Sequence, residues 1–203
     1  MRTPFLPAMA LVGALVASGC YPSRIESIED FDTATTLHAP GVDFSTVATY
    51  AIIDTIYEIG DSSGPSVDHA FDASILANLK TNLNALGWTE VDEHVTQPDI
   101  MVSVAVTTST NVGWAGGWYD YFYGWWGGWG WYYPPVYYPY SYQTGTLLTG
   151  MLDVRGTSGG TTDVPMVWVA AVNGVLRSTS SATVARVNEL IDQAFTQSPY
   201  LGE

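Results

Sequence analysis

The stretch Gly113–Tyr142 constrains the fold of this chain more than any other feature. Sixteen of its thirty residues are aromatic, seven are glycine and three are proline, and Asp120 is its only charged residue. Glycine and proline break regular elements, and no helical or two-residue period runs through the stretch. Thirty residues are too many for an ordinary hairpin loop, so the sequence on either side must build the fold. We call this stretch the aromatic segment.

The sequence on both sides of the aromatic segment predicts one helix and one strand with particular clarity. From Ser66 the apolar residues fall four apart, which predicts an amphipathic helix that Ser66 caps and Gly87 ends. Ile100–Thr110 alternates between apolar and polar residues, which predicts a half-buried strand. The apolar positions are Phe71, Ile75, Leu79 and Leu83 in the helix, and Ile100, Val102, Val104 and Val106 in the strand.

Weaker patterns complete the predicted fold. Runs rich in β-branched residues predict strands at Val47–Ile53, Leu147–Val154 and Val164–Val172, and Phe31–Leu37 is a candidate edge strand. A second amphipathic helix is predicted at about Ala182–Phe195. This order predicts an α+β fold, with a mostly antiparallel sheet, two helices packed on one face and the aromatic segment as a long hairpin loop.

The first twenty residues are typical of a lipoprotein export signal. Arg2 is followed by an apolar stretch too short to span a bilayer, and small residues precede Cys20, the only cysteine. This resembles the bacterial lipobox, with cleavage between Gly19 and Cys20. We therefore expect a signal peptide at 1–19, a lipidated Cys20 with an acidic tether at 20–42, and a folded domain at 43–203.

Lipidation at Cys20 would fix the location of the protein. The cysteine would carry a diacylglyceryl thioether and an amide-linked acyl chain such as palmitate, and three acyl chains hold a protein at a membrane permanently. Tyr21 follows the cysteine. By resemblance to Gram-negative lipoproteins, a residue other than Asp there favours the outer membrane, with the domain facing the periplasm.

Charge and cysteine content exclude several classes of function. Twenty acidic residues against six basic ones give a formal net charge of −14, which argues against a nucleic-acid partner because phosphates are held by Lys and Arg. A single cysteine excludes an intramolecular disulfide and a multi-cysteine metal site. The sequence predicts no cofactor and no metal.

The aromatic segment is the candidate contact surface. Trp and Tyr favour membrane interfaces, and their flat faces also stack on sugars or peptides. The segment could instead pack on its own domain or self-associate. The residues predicted to make contacts are Trp114, Trp118, Tyr119, Trp125, Trp126, Trp129, Trp131, Tyr132 and Tyr133.

Candidate catalytic and metal-binding patterns are weak. Gly156–Gly160 matches the G-x-S-x-G nucleophile motif around Ser158, but a strand is predicted after it where that motif requires a helix. His38, His69 and His94 lack metal-ligand spacing and are expected to be surface residues. The sequence therefore predicts a protein that is not an enzyme.

Several short motifs together resemble a Gram-negative lipoprotein family catalogued as domain of unknown function 4136. No single motif is specific, but their order and spacing from about Asp43 to Leu201 are. The resemblance implies an α+β lipoprotein domain at the outer membrane, with no assigned activity. The motifs begin at Asp43-Phe44-Ser45, Ala85-Leu86-Gly87-Trp88, Pro98-Asp99-Ile100, Thr144-Gly145-Thr146, Leu152-Asp153, Val167-Trp168, Gln193-Ala194-Phe195 and Ser198-Pro199-Tyr200.

These features favour a non-enzymatic, lipid-anchored cell-envelope protein. Its aromatic segment would contact lipid, glycan or another envelope component. One alternative is a periplasmic assembly or structural subunit that binds a protein partner. The other is a serine hydrolase acting through Ser158.

Overall fold

The computed structural model of this chain describes residues 32–59, 69–107, 145–156, 164–173 and 181–203. Two α-helices lie in these ranges, α1 (Asp72–Ala85) and α2 (Ser181–Thr196). The strands are β1 (Ala34–His38), β2 (Thr49–Ile59), β3 (Thr89–Glu90), β4 (Ile100–Thr107), β5 (Leu147–Asp153) and β6 (Met166–Val172). Short 3-10 turns occupy Phe44–Thr46, His69–Phe71 and Pro199–Gly202.

The described strands form one sheet in the order β1-β6-β5-β4-β2-β3. The β1–β6, β6–β5 and β5–β4 pairs are antiparallel, whereas β2 runs parallel to β4 and to β3. The parallel pairs arise because α1 connects β2 to the next part of the sheet, and such a crossover returns the chain in the same direction. The predicted α+β fold with a mostly antiparallel sheet is confirmed, and the sheet is mixed.

Both helices pack on one face of the sheet, as predicted. They bury apolar stripes against the alternate residues of β4 that begin at Ile100, and these side chains form one continuous core. The helix residues in this core are Ile75, Leu76, Leu79, Leu83, Val187, Leu190, Ile191, Ala194 and Phe195.

The prediction that Ile100–Thr110 is half-buried was wrong. Every residue of β4 is buried, and Ser103 and Thr107 on its polar face are 0% exposed. The face that looks away from the helices carries Met101 and Ala105 in a second apolar core. The alternation with Ser and Thr concealed this burial, because hydroxyl side chains are common in strands whichever way they face.

Several predicted boundaries shift in the structure. The candidate edge strand is present as β1, so the sheet begins at Ala34, inside the range assigned to the tether. The first long strand runs on to Ile59, and α1 begins at Asp72 after a 3-10 turn. Ser66, the predicted cap, lies outside the described residues.

Candidate functional site at the base of the aromatic segment

Hydrogen bonds join β4 to the start of β5 at Thr107 and Gly145, the last described residues before and after the aromatic segment. The amide of Gly145 donates to Thr107 O at 2.7 Å, and the amide of Thr107 donates to Thr146 O at 2.9 Å. The amide of Thr146 also donates to Thr107 Oγ1 at 3.1 Å. Gly145 has φ +85°, a left-handed conformation that glycine adopts without strain. The two strands are therefore paired as far as Thr107 and Gly145.

Hydrogen bonds connect this base to the start of β1. Thr146 Oγ1 donates to Asn173 Oδ1 at 2.7 Å, just beyond the end of β6. The Asn173 amide donates to Thr33 O at 2.9 Å, and its side-chain Nδ2 donates to Thr33 Oγ1 at 3.3 Å. Thr33 immediately precedes β1. The chain thus enters the sheet at the end where β4 stops at Thr107 and β5 begins, and we call this end of the strands the root edge.

The residues predicted to make contacts lie outside the described residues, and so do Gly19, Cys20 and Ser158. They are Trp114, Trp118, Tyr119, Trp125, Trp126, Trp129, Trp131, Tyr132 and Tyr133. The described residues nearest to their segment are Thr107 and Gly145.

A polar cluster centred on Arg155 occupies the other end of the strands, where β5 ends and where β2 and β4 begin. Its Nε and Nη2 donate to the two carboxylate oxygens of Asp153 at 2.9 and 2.5 Å. Its Nη1 donates to Asp43 O at 3.1 Å and to Thr46 Oγ1. The hydrogen bond with Asp153 raises the pKa of Arg155; burial opposes this rise, and the charges of Asp153, Asp99 and Asp43 support it. The guanidinium therefore joins the turn before β2 to the end of β5.

Asp99 completes this edge by holding the start of β2. Its Oδ2 accepts from the amides of Ala48 and Thr49 at 2.8 and 2.9 Å, and from Thr49 Oγ1 at 3.1 Å. Asp43 similarly accepts from the amide of Ser45. Asp43, Asp99 and Asp153 come from three separate sequence motifs, and their carboxylates are engaged in hydrogen bonds that hold the fold. Spacing along the chain gave no signal that Arg155 would join them.

The histidines are at the surface, as expected, and they lie apart. His38 is in β1 and contacts the ring of Tyr200, with centroids 4.1 Å apart and the ring planes tilted by 50°. His69 lies between Asp72 and Glu58, with Nδ1 2.8 Å and Nε2 3.4 Å from their oxygens. His94 lies in the turn that follows β3, and its side chain is 73% exposed. The part of the chain that the structure describes contains no group of three or more side chains arranged to hold a metal ion.

The motifs near the C-terminus also serve packing. Trp168 Nε1 donates to Ser198 Oγ at 3.1 Å, and the Tyr200 hydroxyl donates to the same oxygen at 3.2 Å. The rings of Trp168 and Phe195 lie 5.4 Å apart. These contacts fix the end of α2 and the following turn against β6.

Three solved structures resemble this chain to different degrees. The crystal structure of a DUF4136 family protein from Bacteroides thetaiotaomicron is 29% identical, with a TM-score of 0.66 over 85% of this chain and 98% of that one. A PDZ domain protein from Parabacteroides distasonis is 13% identical over 83% of this chain and 36% of that one (TM-score 0.46). The PelC dodecamer from Paraburkholderia phytofirmans is 14% identical over 81% and 96% (TM-score 0.41). No curated protein matches the chain.

The family comparison covers nearly the whole described domain. The profile of a domain of unknown function, DUF4136, matches residues 34–200, from the first residue of β1 to the turn that follows α2. None of the proteins named above carries the name of an enzyme. The chain belongs to the DUF4136 family.

Proposed function

We propose that this protein is a non-enzymatic, lipid-anchored component of the cell envelope whose aromatic segment contacts the surface of the membrane that holds it. The anchor is the acylated Cys20, and the membrane is the outer membrane, with the domain facing the periplasm. Glycan and protein partners are the competing contacts, and the experiments below separate them.

The hydrogen bonds at the root edge are the main support for the proposal. Thr33, where the chain enters the sheet, is hydrogen-bonded through Asn173 to Thr146 at the base of the aromatic segment. The stretch from Cys20 to Thr33 spans at most about 45 Å even when fully extended. An anchor at Cys20 would therefore hold the root edge within about 45 Å of the bilayer, close enough for a thirty-residue segment to reach it.

The composition of the aromatic segment suits that surface. Trp and Tyr favour the headgroup region, because their rings are apolar and their N–H and O–H groups remain hydrated. The chain as a whole carries a formal charge of −14, which acidic headgroups repel, whereas the segment has Asp120 as its single charge. The segment is thus the part of the domain that approaches a membrane at the lowest electrostatic cost. Among the described residues, no helix is long and apolar enough to cross a bilayer.

The anchor is tested by replacing Cys20 with Ala. The variant cannot be acylated at that position, so we expect it to leave the detergent-extracted membrane fraction and appear with soluble envelope proteins. A matched Ser23→Ala variant, altered just beyond the lipobox, should remain with the membranes. Retention of the Cys20→Ala protein in the membrane fraction would refute anchoring at this residue.

The contact is tested by titrating the purified protein with vesicles of outer-membrane phospholipid and, separately, with peptidoglycan. We expect a blue shift of tryptophan emission with vesicles and none with peptidoglycan. Replacing residues 113–142 by a short Gly/Ser linker should abolish the shift. A fluorescence change with peptidoglycan alone would refute the lipid contact and indicate a glycan contact. No change with either would favour a protein partner, which crosslinking in cells would identify.

A further inference from the structure

The outer side of β1 is the side of a strand that pairs on one side only. β1 is the outermost strand of the sheet and is antiparallel to β6. In an antiparallel pair, alternate residues direct their backbone N–H and C=O groups towards the neighbouring strand, and the residues between them direct these groups away. The amide of Ala39 donates to Val167 O, so the odd-numbered residues of this stretch bond to β6. The residues that direct their backbone groups outwards are therefore Ala34, Thr36 and His38.

Among the described residues, one side chain reaches these outward groups. Gln197, which follows α2, donates from Nε2 to Ala34 O at 3.1 Å. The same nitrogen lies 3.5 Å from Thr36 Oγ1, so the Gln197 side chain approaches from the helix side. A carbonyl oxygen has two lone pairs, which leaves Ala34 O able to accept a second hydrogen bond in the plane of the sheet. No described residue bonds to the outward backbone groups of Thr36 or His38.

β1 lacks the features that usually keep an outermost strand from pairing with another chain. It has five residues, an ordinary strand length, and contains no Asp, Glu, Lys, Arg or Pro. β3, on the other side of the sheet, has two residues, and its Glu90 forms an ion pair with Lys80 at 2.6 Å. Short and charged strands resist pairing with another chain. Of these two strands, β1 is therefore the one suited to adding a neighbour.

The sequence of β1 is complementary to a second copy of itself. A two-fold axis at Thr36 places Thr36 opposite Thr36 of the second copy, and Ala34 opposite His38. These are the residues whose backbone groups point outwards, and each facing pair of this kind exchanges two hydrogen bonds. The ring of His38 contacts that of Tyr200 on the helix side, with centroids 4.1 Å apart. In this register the two rings of one copy lie beside the smallest side chain of β1 in the other.

Charge does not oppose this pairing, although the chain has a formal net charge of −14. The charged residue nearest to β1 is Asp32, and in the symmetric register it faces Pro40 of the second copy and not its own counterpart. The Asp32 side chain is 8% exposed, and its carboxylate lies 3.6 Å from Nε of Arg186. Pro40 has no N–H group, so it ends the ladder at that point. The residues that come together are therefore uncharged.

We propose that β1 pairs with β1 of a second copy of this chain, so that the two sheets join into one with both helix layers on the same face. Five paired residues bury less than the roughly 1,600 Å² of a standard stable interface, so the dimer is reversible. The two Thr33 residues lie about 20 Å apart, because six residues at about 3.4 Å each separate them. This separation is shorter than the reach of the tethers, so one membrane holds both copies, but the pairing itself requires no anchor.

Disulfide crosslinking of a Thr36→Cys variant tests the proposal in cells that produce the full chain. In the proposed register the two cysteines face each other with Cα atoms about 5.5 Å apart, which a disulfide spans. The control is Thr81→Cys, at an exposed position of α1. A mild oxidant should convert about tenfold more of the Thr36→Cys protein than of the control into a covalent dimer, because disulfides form only between residues held this close. The parent protein gives the background from Cys20.

A mixture of two further variants tests the register. Thr35 of one copy faces Leu37 of the other with Cα atoms about 4.5 Å apart, whereas each lies about 8 Å from its own counterpart. Cells that produce Thr35→Cys and Leu37→Cys together should therefore form a disulfide-linked dimer that neither variant forms alone. A dimer from this mixture supports the proposal even if Thr36→Cys folds poorly.

Four results would overturn the proposal. One is the absence of a dimer both with Thr36→Cys and with the mixture. Another is a dimer from Thr36→Cys without one from the mixture, because the strands would then not be paired in this register. Equal crosslinking of Thr81→Cys would indicate random collisions, and crosslinking of Thr36→Cys to a different protein would show that another chain occupies the outer side of β1.

Discussion

Single residues at the Arg155 edge of the sheet illustrate how sequence motifs can serve structure rather than chemistry. Asp43, Asp99 and Asp153 all lie around Arg155 at this end of the sheet. In the fold each accepts hydrogen bonds from a nearby backbone amide or from Arg155. Their carboxylates hold the ends of neighbouring strands and the turn before β2 together.

Replacing Arg155 with Ala should lower the free energy of unfolding by about 2 kcal/mol, because it removes a bidentate carboxylate pair and two further hydrogen bonds at a site that is about three-quarters buried. Urea denaturation measures the change. Lys80→Ala is the control, because Lys80 forms an ion pair with Glu90 in which both side chains are more than a third exposed. This substitution should lower the free energy of unfolding by less than about 1 kcal/mol. Equal effects of the two changes would contradict the role assigned to Arg155.

His69 should make stability depend on pH. Hydrogen bonding to Asp72 raises its pKa above the ordinary 6.5, desolvation opposes the rise, and the charges of Asp72 and Glu58 add to it. A raised folded-state pKa means that His69 stabilises the fold fully below about pH 6.5, and that this contribution disappears as pH rises through the folded value. The stability difference between the protein and its His69→Gln variant, measured by thermal unfolding, should therefore be larger at pH 5.5 than at pH 8.5. A difference that grows with pH would refute this assignment.

The elements of the fold follow from the sequence to different degrees. Both helices and the four long strands are foreseen because apolar spacing reports directly which side of an element is buried. Periodicity carries no information about strand order, so the parallel β2–β4 pair is learned only from the structure. The two-residue β3 is too short to show any period. The root edge could not be predicted either. Its residues are far apart in the chain and belong to no recognisable motif; they are Thr33, Thr107, Thr146 and Asn173.

Gly87 ends α1 because its backbone adopts a left-handed conformation, and the energetic effect of this conformation can be measured. Its φ of +90° is left-handed, and a Cβ added there would meet nothing within 4 Å, so the cost of Gly87→Ala is backbone strain alone. We expect a loss of about 1 kcal/mol in the free energy of unfolding. In Gly202→Ala the new Cβ would lie 3.7 Å from Leu86, an ordinary contact, so that change should be nearly neutral. A neutral Gly87→Ala protein would show that the helix end is not held in this conformation.

At the scale of the whole molecule, the two edges of the sheet have different roles. One edge holds its strands together through Arg155 and Asp99, and the other joins the entry of the chain to the base of the aromatic segment. Lipidation at Cys20 would keep the root edge within about 45 Å of the bilayer. The central proposal is therefore positional: the domain would present its aromatic segment to the membrane in which it is anchored.

Depth-dependent quenching tests that claim most directly. The lipoprotein is reconstituted into vesicles whose phospholipids carry bromine either near the headgroups or deep in the acyl chains. Six of the eight tryptophans lie in the aromatic segment, whereas Trp88 and Trp168 are buried in the core beside the helices. We predict strong quenching by shallow bromines, weak quenching by deep ones, and almost none after residues 113–142 are replaced by a linker. A fractional loss of emission no larger than that of the linker variant at both bromine positions would contradict the account.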